Sequence, residues 1–588
     1  MQKKLNKKQG ERLISLLPYL IALCSGILMG LTVAPIGAWF LAWIALAPLW
    51  ILVVSSSKRK NQYPPALPRS YDAYGGLYQQ RKPPLGLLCA LLWGISYHGV
   101  ALSWITGIHP MTWLGVPWWP SLAITLFCWG FISLLGGVFA AIWAAVMVRL
   151  GEQKSWLRIL IGTAVWCALE SLWSAGPLWW SSLAYTQSPY NLVILHLGQL
   201  SGPNTITAAI VVINGLIAEG WTNRTDAEGA QTSWSVLRQL VQWGKPSVRP
   251  WRLPLGEVSI GGSRSSFSAP LWFVDKYLAT ATGLLITLHL IGLILYIRPI
   301  AQVPEAALKI GIIQGNIPNR LLLGSEGFRR AQENYTNGYI TLADQGVDGV
   351  LTPEGALPIF QRNLMGTALV SAVREKGVVA WIGAFGERGR SYTISLFTFN
   401  GNGEIVSRYD KAKLVPLGEY IPFEGILGGI VQRLSPLDAH QIPGSANQLV
   451  DTPYGRVIVG ICYESAFPEQ FRRQAAAGGQ FILSSSNDAH YSAHMPFQHH
   501  AQDIMRAIET DRWTVRATNT GYSAFVDPHG KTLWISGYNT YEIHAATIYR
   551  RQTQTLYVLW GDWLTPLLLG LGVVGWFVSK RKDENSSF

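Results

Sequence analysis

A chain of 588 residues, with 49% hydrophobic residues, 26 tryptophans and only 14% charged residues, is too long for one ordinary core. It also falls well below the roughly 25% charge of soluble domains. The formal net charge of +13 invites a nucleic-acid reading, but that reading needs basic residues clustered on a folded surface, and many of the Lys and Arg residues here flank apolar segments, so no nucleic-acid partner is expected. Composition predicts a membrane protein.

Runs of about 20 apolar residues predict spans near 13–30, 37–54, 86–104, 121–148, 157–175, 196–219, 278–297 and 556–578, eight transmembrane helices in all. The opening "MQKKLNKKQGER" has the charge of a signal-peptide start, but no small-residue cleavage site is clear and a second span follows closely, so the first span reads as a retained anchor. Lys and Arg in short loops set orientation. The N-terminus, "SSSKRKNQYPPALPR", "RLGEQKSWLR", the segment 220–276 and the tail "SKRKDENSSF" are basic, whereas the alternate loops 31–36, 105–120 and 176–191 contain neither Lys nor Arg. Both termini are therefore expected in the cytoplasm. The expected organisation is a seven-helix membrane region at 1–298, an exported domain at 299–555, and a last span with its tail at 556–588. The stretch 222–270, rich in Gly, Ser and Pro, reads as a cytoplasmic loop.

About 250 residues between spans seven and eight make a full domain. Strand-like runs "ALKIGIIQGN", "GVDGVLTPEG", "GVVAWIGAF", "SYTISLFTFN", "RVIVGICYES", "QFILSSSND" and "WTVRATNTGYSAFVDPHGKTLWIS" alternate with helical stretches such as "EGFRRAQENYTNGYITLADQG" and "PFQHHAQDIMRAIETDR". Such alternation predicts a layered α/β domain. Four of the five cysteines, Cys24, Cys89, Cys128 and Cys167, fall in the apolar segments. Cys462 stands alone in the exported region and can form no disulfide within it.

"GVLTPEGALP", "VSRYDKAKLVPLGEYIPF" and "VIVGICYES" each place one polar group at the end of an apolar strand: Glu354, Lys411 and Cys462. Strand ends let side chains from distant parts of a chain converge on one cleft. A thiol, a carboxylate and an ammonium make a nucleophile, a proton carrier and an oxyanion partner, with the backbone N–H after the nucleophile as a further donor. By position alone a lone strand cysteine is usually inert core, Glu354 a helix cap and Lys411 a solvated charge.

The motifs "TPEGALP", "YDKAKLVPLGEYIPF", "GICYESAFPE", "SSSNDA" and "QHHAQDIMRAIETDRWTVRATNTGYSAFVDPHG" occur in that order, and together the chain resembles the bacterial apolipoprotein N-acyltransferases, membrane members of the nitrilase superfamily. The resemblance covers the whole chain, because that family also has eight spans with a nitrilase-like domain exported between the last two. It implies a four-layer α-β-β-α sandwich and places the family's Glu-Lys-Cys triad on Glu354, Lys411 and Cys462. Glu419 matches a second glutamate near the site, and Tyr463 and Glu464 match the residues after the nucleophile. Two departures bear on the acyl pocket: Leu321–Leu323 stand where the family often has a Trp, and His490 replaces an aromatic.

The reaction that the resemblance implies is ping-pong. An acyl chain from a phospholipid is loaded on Cys462 as a thioester, then passed to the α-amine of the diacylglyceryl-cysteine of an apolipoprotein, the final step of lipoprotein maturation in the bacterial inner membrane. Substrates with apolar tails suit a site held at the membrane face. The loops "HPMTWLGVPWWPS" and "GPLWWSSLAYTQSPY" read equally as a lipid access path and as an interfacial belt. Glu170, ionisable within a span, suggests either function or a structural pairing. His490, His494, His499 and His500 invite a zinc reading, but their spacing is wrong and no cysteines accompany them, so no metal and no cofactor are expected. The rival readings are a tethered amidase using the same triad with water as acceptor, and a non-catalytic lipid- or lipoprotein-binding protein.

Overall fold

The computed structural model describes residues 2–59, 85–112, 115–227, 276–322, 324–416, 418–420, 441–489 and 491–585. Leu323, His490, residues 60–69 of the first basic loop and residues 228–270 of the second lie outside these described residues.

The first half is helical: α1 (Gln2–Gly30), α2 (Ala47–Arg59), α3 (Leu85–Ala101), α4 (Trp118–Arg149), α5 (Ser155–Ala175), α6 (Pro203–Ala227) and α7 (Lys276–Tyr296). Five apolar helical stretches among the described residues, Trp39–Ser57, Trp118–Arg149, Ser155–Ala175, Pro203–Arg224 and Lys276–Tyr296, are long enough to cross a membrane by length and composition. Shorter apolar helices cover Ser15–Gly30, Leu85–Ala101 and Leu192–Ser201. Inside lipid, helices are held by close packing and not by exclusion of water, so small residues matter. A Cβ on Gly94 of α3 would lie 2.4 Å from the Gly136 carbonyl oxygen of α4, which only glycine allows at this separation. Trp50, Trp93, Trp143 and Trp166 fill the centre of the helical region, whereas Phe127, Phe131 and Val138 of α4 point outward.

Two expected spans are broken at a glycine with positive φ. The stretch 196–219 begins as a short helix Gly198–Ser201 and turns at Gly202 (φ 71°) before α6. The stretch 556–578 begins as a short helix Leu556–Trp560 and turns at Gly561 (φ 66°). Left-handed glycine interrupts a helix without changing its hydropathy, so a run of apolar residues conceals the break.

Among the described residues, the second half holds twelve strands: β1 (Ala307–Gln314), β2 (Gly349–Leu351), β3 (Val379–Arg388), β4 (Ser391–Phe399), β5 (Ile405–Asp410), β6 (Val450–Thr452), β7 (Gly455–Ile461), β8 (Ile482–Ser486), β9 (Thr514–Thr518), β10 (Ala524–Val526), β11 (Thr532–Ile535) and β12 (Glu542–Tyr549). They form two six-stranded sheets, ordered β12-β1-β2-β3-β4-β5 and β11-β10-β9-β8-β7-β6. Between the sheets pack Ile310, Ile312, Leu351, Trp381, Val459, Ile461, Leu483, Val515 and Phe525. Because side chains alternate along a strand, Ile313 of β1 faces the other way, onto Tyr335, Tyr339 and Leu342 of α8 (Ser325–Asp344) and Val370 and Val373 of α9 (Ala368–Lys376). Phe471 and Ala475 of α10 (Pro468–Ala476) cover the opposite face at Ile458 and Ile482.

The layers are thus helix, sheet, sheet, helix. Beside α10 lies α11 (His494–Thr510), whose Ile504, Met505, Ala507 and Ile508 belong to the same buried cluster as the residues of α2, α3 and α6. One face of the sheet domain therefore rests directly on the apolar helices. The chain closes with α12 (Leu564–Asn585), which packs on α5.

Candidate active site

Each of the three strand-end residues follows a strand whose neighbours in the sheet are already fixed. Cys462 follows β7 and opens a one-turn helix, Cys462–Ala466, with φ of 50°. Lys411 follows β5, and Glu354 lies three residues beyond β2. The two sheets face each other, so these ends meet between them. Lys411 Nζ donates to Glu354 Oε1 at 2.7 Å and to Glu419 Oε1 at 2.6 Å. Glu354 Oε2 accepts the Asn487 N–H at 3.0 Å, and Glu419 Oε2 accepts the Val415 N–H at 2.9 Å.

Lys411 is fully buried. Burial opposes its charge, but the carboxylates of Glu354 and Glu419 outweigh that and hold the ammonium well above its ordinary range. Burial pushes the Cys462 thiol far up, and Glu354 adds to this while Lys411 opposes it. The resting sulfur is therefore a neutral thiol. The carboxylate of Glu354 acts electrostatically on both Lys411 and Cys462. Burial also raises Glu419, against the pull of Lys411.

Two residues after Cys462 tie its turn to the rest of the site. Glu464 is buried and accepts the N–H groups of Ile461 at 2.7 Å, Ala412 at 2.6 Å and Lys413 at 3.1 Å, together with the Tyr409 hydroxyl at 3.1 Å. The Tyr463 hydroxyl lies 2.6 Å from the Pro177 carbonyl oxygen and 2.8 Å from that of Trp179, and its ring stacks on Trp180. The loop after α5 is thus bonded to the Cys462–Ala466 turn, for Trp179 Nε1 and the Tyr185 hydroxyl both donate to the Ala466 carbonyl, at 3.0 and 3.1 Å.

Glu170 does not reach this site. From α5 it accepts hydrogen bonds from Trp166 Nε1, the Leu183 N–H and the hydroxyls of Ser182 and Thr207, at 2.6–3.1 Å. Four donors on one buried carboxylate fix the base of the loop that grips Tyr463. The two aromatic loops divide in the structure: Trp179 and Trp180 pack with Trp104, Tyr463 and Phe467 behind the Cys462–Ala466 turn, while Trp118 and Trp119 are exposed.

The described histidines do not converge. His494 is exposed, His500 bonds Thr532 Oγ1 at 3.0 Å, and only His499 approaches the site. Cys462, Asp488 and His499 each bring one potential metal-ligand atom within 4.8 Å of the others. Both His499 nitrogens already face protein oxygens, Asp488 Oδ1 at 3.0 Å and the Cys462 carbonyl at 2.7 Å, so a metal could bind this histidine only by breaking one of those bonds. Asp488, Asp503 and Arg516, which pattern reading passed over, join His499 beneath the turn. The sequence does hold a trace of them, since Asp503 and Arg516 are charges set in the apolar stretches "AQDIMRAI" and "WTVRATN".

Residues 309–557 match the carbon-nitrogen hydrolase family, and residues 73–216 match the N-terminal domain of apolipoprotein N-acyltransferase. An apolipoprotein N-acyltransferase from Nostoc sp. is 67% identical over 561 residues, covering 95% of this chain and 99% of its own. The chain belongs to the apolipoprotein N-acyltransferase family. A member from Synechocystis sp. is 43% identical over 93% of this chain and 98% of its own. Among solved structures, an amidase from Nesterenkonia sp. aligns with 45% of this chain and 96% of its own at 18% identity, with a TM-score of 0.33.

Proposed function

We propose that this protein transfers a fatty acyl chain from a phospholipid, through a thioester on Cys462, to the α-amine of the diacylglyceryl-modified N-terminal cysteine of an apolipoprotein. The observation that carries this reading is the meeting of Lys411 with the buried carboxylate of Glu354 and the half-buried one of Glu419, near a cysteine that opens a strained turn, in a chain that is 67% identical to an apolipoprotein N-acyltransferase. In the first step Glu354 takes the thiol proton as Cys462 sulfur attacks the ester carbonyl carbon, and Lys411 faces the developing oxyanion. The ester C–O bond breaks, and the lysophospholipid leaves with the proton from Glu354. In the second step the amine nitrogen attacks the thioester carbonyl, Glu354 accepts the amine proton, and the C–S bond breaks as Glu354 passes that proton to the leaving sulfur, returning the thiol and the Glu354 carboxylate. Glu419 holds Lys411 in place, while Tyr463 and Glu464 hold the turn. Atoms and charge balance without a cofactor.

The same reading places the chain in the bacterial plasma membrane with eight spans, both termini in the cytoplasm, and residues 299–555 on the outer face between the regions 1–298 and 556–588. The alternation of basic and charge-free loops supports this, as do the apolar helices on which the sheet domain rests. A site built at that junction receives both substrates without drawing their apolar tails into water.

The match of 309–557 to the carbon-nitrogen hydrolase family favours a second reading, a tethered amidase with water as acceptor. Purified protein incubated with dioleoyl phosphatidylglycerol and a synthetic diacylglyceryl-cysteine peptide separates the two. The transferase reading requires an N-acylated peptide that forms only when phospholipid is present and disappears in Cys462→Ala. Amide hydrolysis that needs no phospholipid would favour the amidase, and peptide acylation surviving in Cys462→Ala would sink the assignment of Cys462.

A further inference from the structure

Beneath the nucleophile turn runs a chain of four buried charges that the two-step reaction does not use. His499 on α11 faces acceptors on both sides: Nδ1 is 3.0 Å from Asp488 Oδ1, and Nε2 is 2.7 Å from the Cys462 carbonyl oxygen. A carboxylate and a carbonyl only accept hydrogen bonds, so both bonds form only when both ring nitrogens carry hydrogen, as in the imidazolium. The other oxygen of Asp488 accepts from Arg516 at 2.9 Å, Arg516 donates to Asp503 at 2.6 Å, and Asp503 accepts the hydroxyls of Ser465 at 2.6 Å and Ser484 at 2.8 Å. His499, Asp488, Arg516 and Asp503 are all fully buried. Two cations and two anions cancel, and each is hydrogen-bonded, which is the condition under which such a chain is tolerated away from water.

The two ends of this chain grip one short turn. His499 holds the carbonyl of Cys462, and Asp503 holds the hydroxyl of Ser465 three residues further on. Cys462 has a left-handed backbone with φ of 50°, a conformation that a residue bearing a Cβ keeps only where its surroundings impose it. The helix α11 that carries His499 and Asp503 also rests on the membrane-side cluster, so the grip connects the nucleophile to the junction between the two halves of the protein.

The geometry points to His499 as a positioning residue: held as an imidazolium by Asp488, and acting with the Arg516–Asp503–Ser465 arm, it fixes Cys462 in the left-handed conformation that aims its sulfur at the acyl carbonyl. This rests on the reading of Cys462 as acyl carrier. An ordinary buried ion chain would stabilise the fold and leave the rate of a folded enzyme unchanged, and that difference is measurable.

The experiment uses the full-length protein in detergent with dioleoyl phosphatidylglycerol as donor, and reads three quantities: the rate constant of thioester formation at saturating lipid, the KM for lipid, and the thermal midpoint. The variant D488N/H499F removes one anion and one cation together, so the chain stays neutral while the grip on the Cys462 carbonyl is lost. Ser465→Ala removes only the hydroxyl of the other arm and puts folding at little risk. H499Q keeps one amide donor able to reach the carbonyl. The expected result is loading slowed on the order of 100-fold in D488N/H499F with KM unchanged, as an ångström-scale misplacement of a reacting group produces. Ser465→Ala is expected to load more slowly at an unaltered thermal midpoint, and H499Q to regain part of the rate. Wild-type loading in Ser465→Ala or in folded D488N/H499F overturns the proposal, as does a defect that lies in KM alone. Cys462→Ala in parallel keeps the two readings apart, for persistent loading there would remove the acyl-carrier assignment itself.

Discussion

The carboxylate of Glu464 accepts the backbone N–H of Ala412 at 2.6 Å, so the turn that begins at Cys462 is bonded to the residue immediately after Lys411. Cys462 and Lys411 arrive from different strands, β7 and β5, and this bond links the two strand ends. Three further donors share the carboxylate. Glu464→Gln keeps the shape but turns an NH₂ group towards N–H donors, leaving buried groups unmatched at a cost of about 1–3 kcal/mol each. The variant is expected to lose thioester loading at least as severely as it loses stability. Loading and the thermal midpoint measured together check this, and a stable, fully active variant would show that the bridge does not position the site.

Burial and Glu354 raise the Cys462 thiol far above its ordinary range, so in the absence of substrate the thiolate is scarce at neutral pH. Its population rises about tenfold for each pH unit below the thiol pKa. Alkylation of Cys462 by iodoacetamide, followed on the peptide that carries it, is expected to accelerate steadily from pH 7 to 9 with no plateau. A plateau below pH 8 would mean a preformed thiolate and no need for Glu354 as base.

Two sets of carboxyl groups in the sheet domain give stability an optimum in pH. Burial raises Asp488 and Asp503, but His499 and Arg516 outweigh it and hold both below the usual carboxylate range. Their contribution is complete above the unfolded value of about 4 and is lost as pH falls through the lower folded values. Glu509 behaves oppositely, because burial pushes it up to about 7 despite its Arg506 partner. Its contribution is complete below the unfolded value and is lost as pH rises through about 7. The thermal midpoint is thus expected to be highest near pH 5 and to fall on both sides. Glu509→Gln is expected to flatten the alkaline side only. An unchanged alkaline limb in that variant would contradict the assignment.

Glu170 is hydrogen-bonded to the base of the loop that holds Tyr463. Glu170→Gln replaces an acceptor of four hydrogen bonds by a group that accepts through one oxygen, at a cost of about 1–3 kcal/mol. The expected outcome is a lower thermal midpoint with a modest loss of loading, because the loop that holds Tyr463 loosens while Glu354, Lys411 and Cys462 are untouched. Complete loss of loading at an unchanged thermal midpoint would instead give Glu170 a direct part in the chemistry.

The features legible in the sequence are those written in short stretches. Glu354, Lys411 and Cys462 stand out because each lies at the end of a strand-like run, Glu354 between a Pro and a Gly, and the alternation of such strands with amphipathic helices predicts a layered domain. Glu419 and Glu464 entered only through the family resemblance, since nothing local distinguishes them from solvated carboxylates. The chain from His499 to Asp503 escaped because its members come from β9, α11 and the loop after β8, and their pairing exists only after the sheet has formed. Glu170 was conspicuous within its span, yet its partners Ser182 and Thr207 lie 12 and 37 residues away, beyond any local pattern. Hydropathy likewise ran through Gly202 and Gly561, where backbone conformation, not polarity, breaks the helices.

The most direct test of the central claim is intact-protein mass spectrometry of the purified enzyme after incubation with phospholipid alone, before and after hydroxylamine, comparing wild type with Cys462→Ala. Acyl loading at Cys462 predicts a mass increase of one fatty acyl chain on the wild type, removed by hydroxylamine and absent from the variant. A folded, lipid-bound wild-type protein that gains no such mass, or a variant that gains it equally, would contradict the account.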